Sequence, residues 1–262
     1  MFVDSHCHLD FPALAGELDA VLSRMRSARV SHALCVAVSL EGVPGVLATA
    51  RAHENLYASV GVHPDQRDGA EPDVDTLVRL ADDPKVVAIG ETGLDYFRIQ
   101  DDLEWQRERL RTHVRAARRA GKPLIVHTRA AAHDTMRILK EEGAEAAGGV
   151  MHCFTETWET ACAALDLGFS ISFSGIVTFR NAQALREVAR RVPSEALLIE
   201  TDSPYLAPVP LRGRTNEPAF VPHVAAALAT LRGCSPEAIG ELTSQNFFRL
   251  IGRAPARAEA PA

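Results

Sequence analysis

Two histidines one residue apart, His6 and His8, stand in the opening stretch Met1-Phe2-Val3-Asp4-Ser5-His6-Cys7-His8. On an extended strand, residues i and i+2 share a face, so both imidazoles can reach one metal ion while Cys7 points the other way. An isolated pair of this kind is equally consistent with a surface strand. Its weight comes from four more donors, Glu91, His127, His152 and Asp202, each at the end of an apolar run. Four histidines and two carboxylates are too many nitrogen and oxygen donors for one tetrahedral ion, and they suit two ions bridged by a carboxylate. Glu91, on the fourth of eight strands, is the natural bridge. One ion then takes His6, His8 and Asp202, and the other takes His127 and His152. Two ions about 4 Å apart bring a shared water to deprotonation near neutral pH, and Asp202 can accept its proton. Donors without thiolate fit zinc, manganese, nickel or magnesium alike, so two divalent ions are implied without a choice of metal. Cys7 and Cys153 sit beside ligands but point away by strand alternation and are left out of the set.

Eight short runs rich in Val, Ile, Leu and Ala must position these donors: Phe2 to Cys7, His32 to Val38, Leu56 to Val62, Val86 to Gly90, Pro123 to His127, Gly149 to Cys153, Phe169 to Ser174 and Leu197 to Thr201. Amphipathic stretches alternate with them, among them Pro12 to Ala28, Pro72 to Ala81, Asp101 to Ala120, Ala130 to Glu142 and Asn181 to Arg191. Two more, about Pro218 to Leu231 and Pro236 to Ile251, follow the last strand. Strict alternation implies parallel strands joined by crossovers, and eight such units in about 250 residues is the size of a single (β/α)8 TIM-type barrel. A doubly wound open sheet is the other reading, but no G-x-G-x-x-G follows the first strand. His8, His63, Glu91, His127, His152 and Asp202 all fall at strand ends, the C-terminal rim where barrel enzymes build their sites. Taken singly, each histidine reads as structural, Glu91 as a helix cap and Asp202 as the start of an Asx turn. Jointly, several independent strand ends would each have to place a ligand type on one rim by accident.

The chain of 262 residues is 47% hydrophobic and 24% charged, which suits one large core. One domain over 1–252 is expected, with an Ala/Pro-rich tail from Arg253 to Ala262 read as disordered. No run approaches the ~18 apolar residues of a membrane span. Met1-Phe2-Val3 carries no basic start, and signal cleavage would remove the first ligands, so a cytoplasmic protein is expected, with a monomer as the default. Five cysteines, odd in number and without C-x-x-C pairs, point to reduced thiols rather than disulfides. The formal charge of -6 argues against a general basic nucleic-acid coat. It leaves room for a nuclease, because bound cations neutralise an acidic site and a few arginines can hold a short run of phosphates.

Those arginines are Arg98, Arg129, Arg180, Arg212 and Arg214, on loops of the same rim. Guanidinium forks match phosphate geometry, and Tyr96, Phe97, Phe154 and Phe179 offer faces for base stacking. The alternative for each is a salt-bridged loop arginine. Arg107, Arg111, Arg115 and Arg118 instead follow helical spacing and read as a solvated face.

The sequence resembles the TatD-type metal-dependent deoxyribonucleases of the amidohydrolase-like barrels. The likeness runs through Asp4-Ser5-His6-Cys7-His8-Leu9, Gly61-Val62-His63-Pro64, Gly90-Glu91-Thr92-Gly93-Leu94-Asp95-Tyr96 and His127-Thr128-Arg129. It continues through His152-Cys153-Phe154, Glu200-Thr201-Asp202-Ser203-Pro204-Tyr205-Leu206 and Asn216-Glu217-Pro218. The resemblance implies metal ligands at His6, His8, Glu91, His127, His152 and Asp202, and a His63 that contacts substrate phosphate or assists the reaction without being a core ligand. It also implies metal-dependent DNA hydrolysis, notably 3'-to-5' removal of nucleotides from single-stranded ends, with roles in DNA repair or degradation. Some members look like deacylases acting on aminoacyl-tRNA, so a hydrolase of an ester or amide such as D-aminoacyl-tRNA is the second expectation. A non-catalytic metal-stabilised scaffold is the third, and the full ligand set speaks against it.

Overall fold

The computed structural model describes residues 1–98 and 103–252. The first residues of the helix expected from Asp101, and the tail from Arg253, lie outside the described residues. Eight strands form one parallel sheet in sequential order: β1 (Phe2–Cys7), β2 (Val30–Cys35), β3 (Leu56–Val60), β4 (Val86–Asp95), β5 (Leu124–Arg129), β6 (Gly149–Met151), β7 (Phe169–Phe173) and β8 (Leu197–Ile199). The ring closes just beyond β8, where Cys7 and Ser203 make a parallel bridge. His8 N donates to Ser203 O at 2.8 Å and Asp202 N donates to His6 O at 2.9 Å, so the closing bonds are made by the site residues' own backbone. The architecture is the expected (β/α)8 barrel.

Strands buried on both faces need two cores, and the structure has two. Val3, Leu34, Tyr57, Val87, Ile125, Val150 and Leu198 form an inner cluster that contains a residue from seven of the strands. Phe247 and Phe248 belong to it as well, carried in by the helix Pro236–Leu250. The larger cluster is the jacket between strands and helices, with Phe2, Cys7, Cys35, Leu124, Met151, Phe173 and Ile199 among its strand members.

Membership of the two clusters exposes a device in β1. Strict alternation would put Val3 and Cys7 on one face, yet Val3 is inside and Cys7 outside. The pairing with β2 explains it: Asp4 opposes Ala33 and Cys7 opposes Cys35, three steps against two. The extra residue reverses the facing, which turns His6 and His8 toward the barrel axis. The same device recurs in β4, where Ile89 opposes Leu124 and Thr92 opposes Val126, and Ile89 packs in the jacket. The slip turns Glu91 inward. Here β4 crowds its neighbours: a Cβ on Gly90 would stand 2.6 Å from Ile125 O, and one on Gly93 would fall 1.8 Å from His127 O. Both have positive φ, 138° and 141°, so glycine is required on either side of Glu91.

The helix Glu104–Ala120 holds the rim beside β3 and β4 through one buried face. Gln106 Oε1 accepts from Asp95 N at 3.0 Å, and its Nε2 donates to Pro64 O at 3.0 Å. Arg109 donates to His63 O at 2.9 Å, and His113 Nε2 accepts from Val62 N at 3.0 Å. The arginines read as a solvated face reach instead toward the helix Ala132–Glu141 and the residue after it. Arg107 Nε pairs with Asp134 at 3.1 Å and Arg115 with Glu142 at 2.8 Å. Among the described residues no helix is long and apolar enough to cross a membrane. All five cysteines are free.

Candidate metal centre

Glu91 is the hub. Its Oε2 lies 3.4 Å from His6 Nε2, while its Oε1 lies 2.8 Å from His152 Nε2, 3.2 Å from His127 Nδ1 and 3.5 Å from His63 Nε2. Asp202 Oδ1 completes one side, 3.5 Å from His8 Nε2 and 3.7 Å from His6 Nε2. The six expected ligands therefore meet at one end of the barrel, with the two oxygens of Glu91 turned to different groups of histidines. Three compact sets of donors result: His6, His8 and Glu91; His6, His152 and Asp202; His63, Glu91 and His127. This partition differs from the expected one in two respects. His63 stands in a set, where the resemblance implied a place outside the core ligands, and His152 groups with His6 because their rings stack at 3.8 Å.

Carboxylates and carbonyls behind the histidines fix which nitrogen faces inward. His8 Nδ1 donates to Val36 O at 2.9 Å, leaving the Nε2 lone pair for the centre. His152 Nδ1 donates to Glu200 Oε1 at 3.1 Å, with the same consequence. His127 is turned the other way round: Nδ1 faces Glu91, and Nε2 lies 3.5 Å from Asp95 Oδ2. His63 Nδ1 is 2.5 Å from Asp65 Oδ1. Asp95, Glu200 and Asp65 were not among the expected site residues. Two had a signal, since Asp95 lies four residues after Glu91 and Glu200 two before Asp202, spacings that share a strand face.

This donor set fits cations better than it fits itself. His152 Nε2 is buried and makes no hydrogen bond although Glu91 is 2.8 Å away, and the Nε2 atoms of His6 and His8 face each other at 3.3 Å. Imidazole nitrogens and carboxylate oxygens converge there with much of their bonding capacity unmet, an arrangement a divalent ion would satisfy. Electrostatics agree. Burial alone would push Glu91 up, yet His152, His63 and His6 hold its carboxyl well below the usual range. Burial pushes His6 down, whereas the carboxylates around His152, led by Glu91 and Glu200, outweigh burial and raise it.

Above the donors opens a cavity of about 630 Å³. His8, His63, Glu91, His127, His152 and Asp202 line it, and Arg98, Arg129 and Tyr205 stand at its walls. Arg180, Arg212 and Arg214 do not line it. They sit on the loops after β7 and β8, whose outward course the strand pattern does not report. Arg98 is committed to carboxylates, Asp65 and, at 3.7 Å, Asp95, so it braces the groups behind His63 and His127. Arg129 lies 4.1 Å over the ring of Phe97, which is 60% exposed. Phe154 is buried and offers no stacking face, and Tyr96 gives its hydroxyl to Asp134 at 2.7 Å. Tyr205, 57% exposed and not singled out by its sequence, lines the cavity together with Phe11. Cys153 also lines the cavity, contrary to strand alternation, because β6 ends at Met151 and Cys153 takes a positive φ of 44°.

A match to the model of the TatD related DNase family spans residues 3–252. The chain belongs to this family. It is 49% identical over 253 residues to the uncharacterized metal-dependent hydrolase YcfH of Escherichia coli (strain K12), a match covering 95% of each chain. Among solved structures, the TatD homologue YJJV from Escherichia coli K12 superposes with a TM-score of 0.88 at 30% identity, covering 97% of this chain and 98% of that one. A TatD-family hydrolase from Entamoeba histolytica follows at 0.83 and 25%, covering 95% and 97%. The member described here is thus a metal-dependent hydrolase on a TIM barrel, with clustered histidines and carboxylates able to hold metal.

Proposed function

We propose that this TatD-family hydrolase cleaves phosphodiesters of DNA, removing nucleotides from single-stranded 3' ends. The observation that carries the reading is Glu91 turning its two oxygens to different histidine groups beneath a cavity walled by Arg129 and Tyr205. His6, His8, Glu91 and Asp202 would hold one divalent ion and Glu91, His127 and His152 a second, with His63 beside the latter. Such ions, when bound, act as Lewis acids and lower the pKa of water toward neutrality.

The chain's own groups supply the rest. Asp202, ionised at neutral pH through its contact with His8 and the nearby His152 and His6, is placed to accept the proton of the attacking water. His63, held by Asp65, presents Nε2 to the centre and is placed to contact the scissile phosphate or the departing oxygen. Arg129 offers a guanidinium to phosphate at the wall. Phe97 and Tyr205 offer exposed rings to the terminal base.

The test uses single-stranded DNA labelled at its 3' or 5' end, with metal-supplemented protein and analysis of the product ladders. Stepwise shortening of 5'-labelled strands with early release of the 3' label supports the reading. Metal-dependent turnover of aminoacyl or other carboxylic esters, with none of phosphodiesters, overturns it.

A further inference from the structure

The loops leaving β7 and β8 run outward from the cavity side by side. Ile176 and Leu206 line the cavity, and a Cβ on Gly175 would stand 2.0 Å from Leu206 O, so the two backbones touch there. Farther out Thr178 ties them: its Oγ1 accepts from Val209 N at 2.9 Å and donates to Gly175 O at 2.6 Å. Arg186 braces the first loop by donating to Phe179 O at 2.7 Å. On this support the guanidinium of Arg212 lies 3.6 Å from the ring centre of Phe179. Arg180 and Arg214, both exposed, flank that pair in the chain.

Among the described residues, Arg180, Arg212 and Arg214 have no carboxylate partner. Other arginines of this acidic chain do pair with carboxylates, Arg24 with Glu217, Arg51 with Asp83, Arg107 with Glu104 and Asp134, Arg111 and Arg115 with Glu142, whereas these three stand together on two neighbouring loops. Three guanidinium groups left bare on adjacent braced loops keep their donors for an anion from outside. Arg212 is also held over an aromatic ring, so the charge is positioned before any ligand arrives. Phe179 is only three steps along the chain from Ile176, at most about 11 Å, so the pair lies close to the cavity edge but outside it.

We propose that Arg180, Arg212 and Arg214, with Phe179, form an outer landing site for the phosphate backbone of a single-stranded polynucleotide whose end occupies the cavity. The identity of the strand rests on the phosphodiesterase reading above. The landing site grips nucleotides beyond the one being released, so its contribution grows with strand length and is absent from a substrate that ends at the cavity. Its electrostatic share falls with salt, by a slope of about 0.7 per phosphate contact in a plot of log affinity against log salt.

The experiment compares the metal-loaded wild type with the triple variant Arg180→Ala, Arg212→Ala, Arg214→Ala. Fluorescence anisotropy measures binding of a 20-nucleotide single-stranded DNA protected at its ends by phosphorothioate linkages, across a salt series. In parallel, kcat/KM is measured on an unprotected 20-mer and on a dinucleotide, with circular dichroism confirming the fold. The expected result is weaker 20-mer binding in the triple variant by about tenfold or more, with a salt slope smaller by about two. The loss in kcat/KM should also be at least about tenfold greater for the 20-mer than for the dinucleotide. Equal losses on both lengths, or undiminished 20-mer binding, would overturn the landing site, as would no 20-mer binding by the wild type. Arginine-dependent binding without cleavage of either substrate supports the landing site and overturns the phosphodiesterase reading instead.

Discussion

Glu91 and His152 approach to 2.8 Å inside the barrel without the alignment of a hydrogen bond. Two buried groups in such contact, a carboxylate and an imidazole nitrogen without a hydrogen-bond partner, are costly unless a proton or a metal cation joins them. The other donors that crowd Glu91 turn this local debt into the organising feature of the site, and its consequences can be measured.

Replacing Glu91 with Gln keeps its size and removes the charge shared among the histidine groups. Metal content of the purified protein, read by mass spectrometry, should fall by at least half, and hydrolysis should drop on the order of 100-fold or more. Full metal content with full activity would remove Glu91 from the centre.

Glu200 does not line the cavity above the donors but holds His152 Nδ1 and accepts from Cys153 N at 2.6 Å. Losing such a partner behind a ligand typically costs about 10- to 100-fold in metal affinity. Glu200→Gln should therefore weaken metal binding within that range in a competition titration with a chelator, while the far-ultraviolet spectrum stays that of the parent.

Arg98 separates two roles by kinetics. As a brace for Asp65 and Asp95, its loss loosens His63 and His127, so Arg98→Ala should lower kcat roughly tenfold with a smaller change in KM. A phosphate clamp would give the reverse, a raised KM at nearly constant kcat.

Acid should destabilise the fold through His113. Burial pushes this imidazole down from its ordinary 6.5 to about 4, and only the unprotonated Nε2 can accept from Val62 N. Above 6.5 neither state carries the proton. As pH falls from 6.5 toward 4 the unfolded chain takes it up first, so the contribution of neutral His113 is lost across that window, on the order of 3 kcal/mol in all. Urea unfolding at pH 7.5, 6.0 and 4.5 measures the loss, and His113→Gln should flatten the part due to this residue.

Metal removal should be visible in stability as well. A cation bound only by the folded chain at 100 times its Kd adds about 2.7 kcal/mol, so chelation should lower the melting temperature by several degrees. Acid should weaken the same binding. The raised pKa values of His8, His127 and His152 mean that protons compete for these nitrogens as pH falls through the neutral range.

Alternation of apolar strands with amphipathic helices determined the barrel, and donor types at strand ends determined which six residues meet, because both patterns are local and survive in one dimension. The facing of those donors was not local. Val3 inward and His6 inward contradict a period of two, and only the extra residue between Asp4 and Cys7 reconciles them. Such a slip is set by the pairing of β1 with β2. The sorting of arginines was likewise beyond the sequence. Arg98 and Arg212 are the same side chain on similar loops, yet one meets Asp65, 33 residues back, and the other meets only the ring of Phe179. Which charge finds a partner depends on distances across the rim, and those exist only once the barrel has closed.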